Sequence, residues 1–121
     1  MAMTPKNIKI EASPEFIKNL DHLLRKYKGR KLDQEVGGLI VQLENGDTPG
    51  DRVPGVHYAV YKVRLKGAGK GKRGGFRVIY YLQTETFILL VTIYAKSEQS
   101  DIRPEQIRRI IDRYDHEDTP E

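Results

Sequence analysis

Residues 58–82 read YAVYKVRLKGAGKGKRGGFRVIYYL, two runs of strand-like sequence separated by a glycine-rich basic stretch. In YAVYKVRLK the period is two. Ala59, Tyr61, Val63 and Leu65 share one face, while Tyr58, Val60, Lys62, Arg64 and Lys66 share the other. FRVIYYL reads as the next strand, so GAGKGKRGG between them is a hairpin tip. That position decides what the glycines are for. Gly69 to Gly74 matches G-x-G-x-x-G letter for letter, but a dinucleotide fingerprint needs a strand before it and a helix N-terminus after it to receive the pyrophosphate. Between two strands, with no acidic residue at the ribose distance, the match holds no nucleotide, and no P-loop pattern is present either.

Working outward, FILLVTIYA (87–95) is a nearly continuous apolar run, as expected of a strand covered on both faces. A turn around Gln83 to Glu85 joins it to FRVIYYL. Upstream, Ile8 and Ile10 alternate with polar neighbours as a short edge strand, and Ser13-Pro14-Glu15 supplies an N-cap hydroxyl, a proline at the first helical position and an acid for the dipole. Phe16, Leu20, Leu23, Leu24 and Tyr27 then form an apolar stripe. A second helix starts at about Asp33, with Val36, Leu39, Ile40 and Leu43 on one side, and ends at Asn45-Gly46. Gly37-Gly38 inside it costs roughly 1 kcal/mol per glycine relative to alanine, which close helix packing would explain. NGDTPGDRVPGV (45–56) reads as loop throughout. The last helix opens near Pro104 and carries Ile107, Ile110, Ile111 and Tyr114; the acidic residues 115–121 are expected to be a disordered tail. The order β-α-α-β-β-β-α makes residues 1–114 one small α+β domain, with two N-terminal helices packed on a twisted, mainly antiparallel sheet and a further helix at the C-terminus.

Composition narrows the function classes. The 121 residues contain no cysteine, which excludes disulfides and thiolate metal sites. No apolar stretch approaches the roughly 20 residues that span a bilayer, and the N-terminus lacks a signal-peptide core, so a cytoplasmic protein with no membrane partner is expected. His22, His57 and His116 show no metal spacing; surface positions account for His22 and His116, and His57 precedes the basic strand. The net charge of +4 is modest, yet from Tyr58 to Thr84 there is no acid at all. A lone charge run is commonly a solvated face; a basic stripe is also the footprint of nucleic-acid contact. If alternation brings Arg77 to the face of Lys62 and Arg64, with Lys96 at the end of the next strand, three or four cations and Tyr58, Tyr81 and Tyr94 would suit single-stranded RNA. Pattern alone does not separate binding from catalysis.

Two stretches carry a resemblance: GKRGGFRVIYY (71–81) and IYAKSEQSDIRPEQI (93–107). They are similar to the RelE/ParE superfamily of bacterial toxins, especially its HigB-like branch, in which a glycine-rich basic hairpin leads into R-V-I-Y-Y and a later strand ends in Y-A-K-S-E. The resemblance spans about residues 58–111. It implies the toxin of a type II toxin-antitoxin pair, held by a cognate protein antitoxin. RelE-like and HigB-like members enter the ribosomal A site and cut mRNA by attack of a ribose 2′-OH on the adjacent phosphate; ParE-like members inhibit DNA gyrase instead, and an inactive RNA- or antitoxin-binding module is the third possibility.

For the ribonuclease, the resemblance implies catalytic roles for Lys62, Arg64, Arg77 and Lys96, with no metal and no small-molecule cofactor. A lysine crowded by cations can act as base toward the 2′-OH, a role that falls to Lys62. Arginine forks suit the pentacoordinate phosphate, a role that falls to Arg77 and secondarily Arg64, and Lys96 would assist the leaving 5′-oxygen. Lys66, Lys70, Lys72, Arg73, Tyr81 and Tyr94 are the expected RNA contacts. The sequence departs from the RelE pattern at Ser97 and, approximately, Arg103, where that pattern has an arginine and a tyrosine. Tyr94 and His57 are the candidates to stand in.

Overall fold

The computed structural model describes residues 7–29, 31–65 and 75–118, with side chains described to residue 115. In chain order the elements are β1 (Lys9–Ala12), α1 (Pro14–Lys26), α2 (Leu32–Glu44), β2 (Asp51–Arg52), β3 (Val60–Leu65), β4 (Phe76–Thr84), β5 (Phe87–Ala95) and α3 (Pro104–Asp118). The strands form one five-stranded sheet in the order β1-β5-β4-β3-β2. Only the β1–β5 pair is parallel, and the other three are antiparallel. This is the α+β architecture expected from the sequence.

Each face of the sheet buries its own apolar cluster. Leu65, Phe76, Val78, Tyr80, Ile88 and Leu90 pack under α1 and α2 against Phe16, Leu23, Val36, Leu39 and Leu43. On the opposite face Val60, Ile79, Leu89 and Val91 pack under Ile107 and Ile111 of α3. The uninterrupted apolar run of β5 follows from that double coverage. Ser13 joins the first helix to the sheet: its Oγ accepts from the Phe16 N–H at 3.0 Å, capping α1, and donates to the Val91 carbonyl at 2.7 Å.

Four details differ from the sequence reading. The turn-rich stretch before β3 contains a two-residue strand, β2, in which Asp51 pairs with Lys62 and Arg52 with Tyr61. Gly50 makes this approach possible: its φ is +96°, and a Cβ there would lie 2.3 Å from the Lys62 carbonyl oxygen. β4 continues to Thr84, which moves the turn into β5 later than Gln83. Gly37 and Gly38 are not explained by close packing, because a Cβ at either would meet nothing within 4 Å. Finally, α3 continues past Tyr114 to Asp118, since nothing in DHED stops a helix and the next breaker is Pro120; residues 119–121 lie outside the described residues.

Candidate nucleic-acid interface

The hairpin register decides whether the cations meet. β3 and β4 pair with Val60 opposite Tyr81, Lys62 opposite Ile79 and Arg64 opposite Arg77. Residues directly opposite in an antiparallel pair project from the same face. Lys62, Arg64 and Arg77 therefore share the α3 face, and the two arginines are direct cross-strand neighbours. Along this face β3 changes character at Lys62: Tyr58 and Val60 feed the cluster under α3, and the cations extend beyond it. α3 buries the apolar half, and the cations lie beyond that cluster.

Tyr94 joins the row through an irregularity that alternation does not reveal. Counting by twos from Ile88 and Leu90 puts Tyr94 under α1 and α2. The β4–β5 register, however, shifts between Ile79, opposite Thr92, and Tyr80, opposite Leu90, so Val91 is an extra residue. Such a bulge reverses the facing of everything beyond it. Tyr94 consequently stands opposite Arg77 and packs with the α3-side cluster. Its phenol is pushed up to about 12, first by burial and then by the Asp101 carboxylate, with Arg77 pulling the other way.

Arg77 is the sharpest feature of the row. Its Nη1 is buried and has no hydrogen-bond partner among the described residues. A buried guanidinium N–H left without an acceptor is costly, and such groups need an explanation, of which an absent anionic ligand is one. Lys62 donates to Asp101 Oδ1 at 3.1 Å. The Tyr94 hydroxyl approaches the same oxygen at 3.5 Å and the Ile102 N–H at 2.8 Å. The Asp101 carboxyl is lowered below its ordinary range, chiefly by the Ile102 N–H, with Lys62 and the more distant charge of Lys96 adding to it.

Lys96 lies at the rim. Its backbone N–H donates to the Gly75 carbonyl at 3.2 Å and its ammonium to the Ser100 carbonyl at 2.5 Å, which bends the β5–α3 connection around the end of the strand. Tyr81 is not in the row: it stands four residues along β4 from Arg77, roughly 13 Å at strand spacing. Its ring packs on Tyr58 at 5.1 Å, and Tyr58 donates to Asp112 of α3 at 2.7 Å. Both tyrosines thus belong to the apolar half of the face. His57 is exposed, in a turn with φ of 72°. Lys66, Lys70, Lys72 and Arg73 lie outside the described residues.

Two supporting residues went unnoticed in the sequence. Asp101 comes from a strand–helix connection, where no periodicity points to a neighbour. Glu98 was quoted within Y-A-K-S-E without a role. It accepts from Lys26 at 2.9 Å and Tyr27 at 2.8 Å and lies 3.2 Å from His22 Nε2, while Ser97 Oγ meets the Tyr27 hydroxyl at 3.1 Å. This clamp ties the connection bearing Lys96 and Asp101 to the last turns of α1.

A concavity of about 240 Å³ between α1 and the C-terminal half of α3, lined by Ser13, Pro14, Lys18 and Tyr114, contains none of these cations. The cations lie in line along β3 and β4, an arrangement suited to an extended polyanion. Residues 22–114 match the family described as the RelE toxin of the RelE/RelB toxin-antitoxin system. That match spans more than half of the chain and includes both the cationic hairpin and the Y-A-K-S-E connection, and so the chain belongs to the RelE toxin family.

Proposed function

We propose that the chain is a ribosome-dependent mRNA endoribonuclease acting in the cytoplasm, inhibited by a cognate antitoxin. The observation that carries this reading is Arg77, a guanidinium opposite Arg64 with a buried N–H that has no acceptor among the described residues. A phosphate is the acceptor whose geometry and charge match two neighbouring arginine forks. In this mechanism Lys62, once its ammonium has released a proton to solvent, takes the proton from the ribose 2′-OH, whose oxygen attacks the adjacent phosphorus. Arg77 and Arg64 hold the added charge of the pentacoordinate state, and the P–O5′ bond breaks with Lys96 supplying a proton or charge to the leaving oxygen. The products are a 2′,3′-cyclic phosphate and a 5′-hydroxyl. Lys66, Lys70, Lys72 and Arg73 are assigned to sequence-blind backbone contacts, and Tyr94, flanking Arg77, to the nucleotide at the scissile step.

The test is induced expression in bacteria of wild type and Arg77→Met, with mRNA 5′ ends mapped and gyrase supercoiling assayed in the same extracts. Wild type should arrest growth and create codon-phased ends inside translated messages, and the variant should do neither. Arrest without new ends, accompanied by loss of supercoiling, would transfer the chain to the gyrase-inhibiting class.

A further inference from the structure

Asp101 grips the cation row through Lys62, and nothing in the proposed chemistry requires a carboxylate there. Its Oδ1 is approached by three donors from different parts of the site: Lys62 of β3, Tyr94 of β5 and the N–H of Ile102. Its own backbone is held by Gln99, which donates to the Asp101 carbonyl at 3.0 Å. The connection carrying it is anchored by the Glu98 clamp and by Lys96 on Ser100. The carboxylate is thus fixed at both ends. Lysine is not: it reaches its target on a four-carbon stem with many rotamers, and ordering that stem has an entropic cost.

We infer that Asp101 is a positioning residue that acts through Lys62, holding its Nζ beside the Arg64–Arg77 pair before RNA arrives. This rests on the ribonuclease reading. Asp51 supplies a built-in comparison. It stands opposite Lys62 across the β2–β3 pair, so its removal takes the same unit of negative charge from the neighbourhood of Lys62, whereas the ion pair at 3.1 Å belongs to Asp101. A background charge and a tether can therefore be told apart.

The experiment measures cleavage of ribosome-bound mRNA by purified wild type, Asp101→Asn, Asp101→Glu and Asp51→Asn, with the maximal first-order rate and half-saturating toxin concentration fitted separately. Melting temperatures are recorded alongside. For Asp101→Asn we expect the maximal rate to fall roughly tenfold, as for loss of pre-orientation, while half-saturation stays put or moves lower because an acid has left the RNA face. Asp101→Glu should recover at least half of the rate, Asp51→Asn should stay within about twofold of wild type, and the melting temperatures should coincide. A rate for Asp101→Asn equal to or above wild type overturns the inference, as does an equal loss in Asp51→Asn or a loss that merely tracks melting temperature. Failure of the underlying reading looks different: wild type itself would leave the mRNA intact.

Discussion

The two faces of the sheet are built from the same three strands yet serve different ends. Under α1 and α2 the alternate residues of the hairpin, Leu65, Phe76, Val78 and Tyr80, are apolar from end to end and buried. On the α3 face the same strands start apolar, with Val60 and Ile79, and turn cationic at Lys62, Arg64 and Arg77. One face is spent wholly on stability. The other is divided, and the division falls where α3 ends its coverage. The site is therefore the part of the fold where the hydrophobic pattern stops being satisfied.

Neighbouring residues make the sharpest break in this comparison. Phe76 and Arg77 are consecutive in β4 and point to opposite faces. Phe76→Ala should cost about 3–5 kcal/mol through lost burial and the cavity left behind, read as a large drop in the urea midpoint. Arg77→Met keeps the stem volume and removes a buried N–H that has no acceptor among the described residues. Its melting temperature should hold or rise, while cleavage falls about a hundredfold, or roughly 3 kcal/mol of transition-state stabilisation. If Arg77→Met unfolds the protein, the division between the faces is wrong.

The second prediction concerns how the cationic strand is held. Gly50 combines a φ of +96° with backbone contact against Lys62. Gly50→Ala adds strain of about 1–3 kcal/mol at such a φ, and the clash adds more. It should therefore lower stability by ~2 kcal/mol or more and loosen β2 from β3. Hydrogen exchange at Val53, whose N–H donates to the Val60 carbonyl, and at Lys62 should speed up more than exchange in β5. Uniform acceleration would mean that β2 is not a separate brace for the cationic strand.

Most of this architecture was legible in the sequence, for reasons visible residue by residue. Ser13-Pro14 marked the start of α1, the alternation in YAVYKVRLK assigned Lys62 and Arg64 to one face, and the apolar run of β5 announced a strand covered twice. What escaped was non-local or irregular. The bulge at Val91 is invisible to a period of two, and it is what brings Tyr94 to Arg77. Asp101 reaches Lys62 across 39 residues of sequence, from a connection without periodicity. Tyr81 shares the face of the cations by parity, but parity says nothing of distance along the strand.

The third prediction links the faces through Glu98, which sits on the α1 side and sets the connection that carries Lys96 and Asp101. Lys26 first, then Tyr27 and His22, hold its carboxyl down at about 2, against an ordinary 4.5. A depressed carboxyl contributes stability that is complete above its unfolded value and is lost as pH falls through its folded one. The loss therefore belongs between about pH 4.5 and pH 2. Because Lys26 and His22 are more than half exposed, solvent screening limits the effect to about 1 kcal/mol. Glu98→Gln should flatten the acid limb of the stability curve by that amount and lower cleavage at neutral pH by a few-fold, through slackened placement of Asp101. A flattened limb with unchanged cleavage would show the clamp to be purely structural.

The smallest effect on cleavage comes from the outer surface of α2, far from either use of the sheet. Gly37 and Gly38 are exposed within a regular helix, and neither has a neighbour within 4 Å of an added Cβ. Alanine at each therefore removes backbone freedom from the unfolded chain without a steric penalty, a gain of about 0.5–1 kcal/mol per site. The double variant should raise the melting temperature by several degrees, given ~4–8 °C per kcal/mol for a domain near this size, and leave cleavage unaltered. That combination isolates stability from chemistry on the helix side, as Arg77→Met isolates chemistry from stability on the other. A double variant that is more stable but cleaves poorly would mean that the backbone freedom of α2 is used, and the clean separation of the two faces would have to be given up.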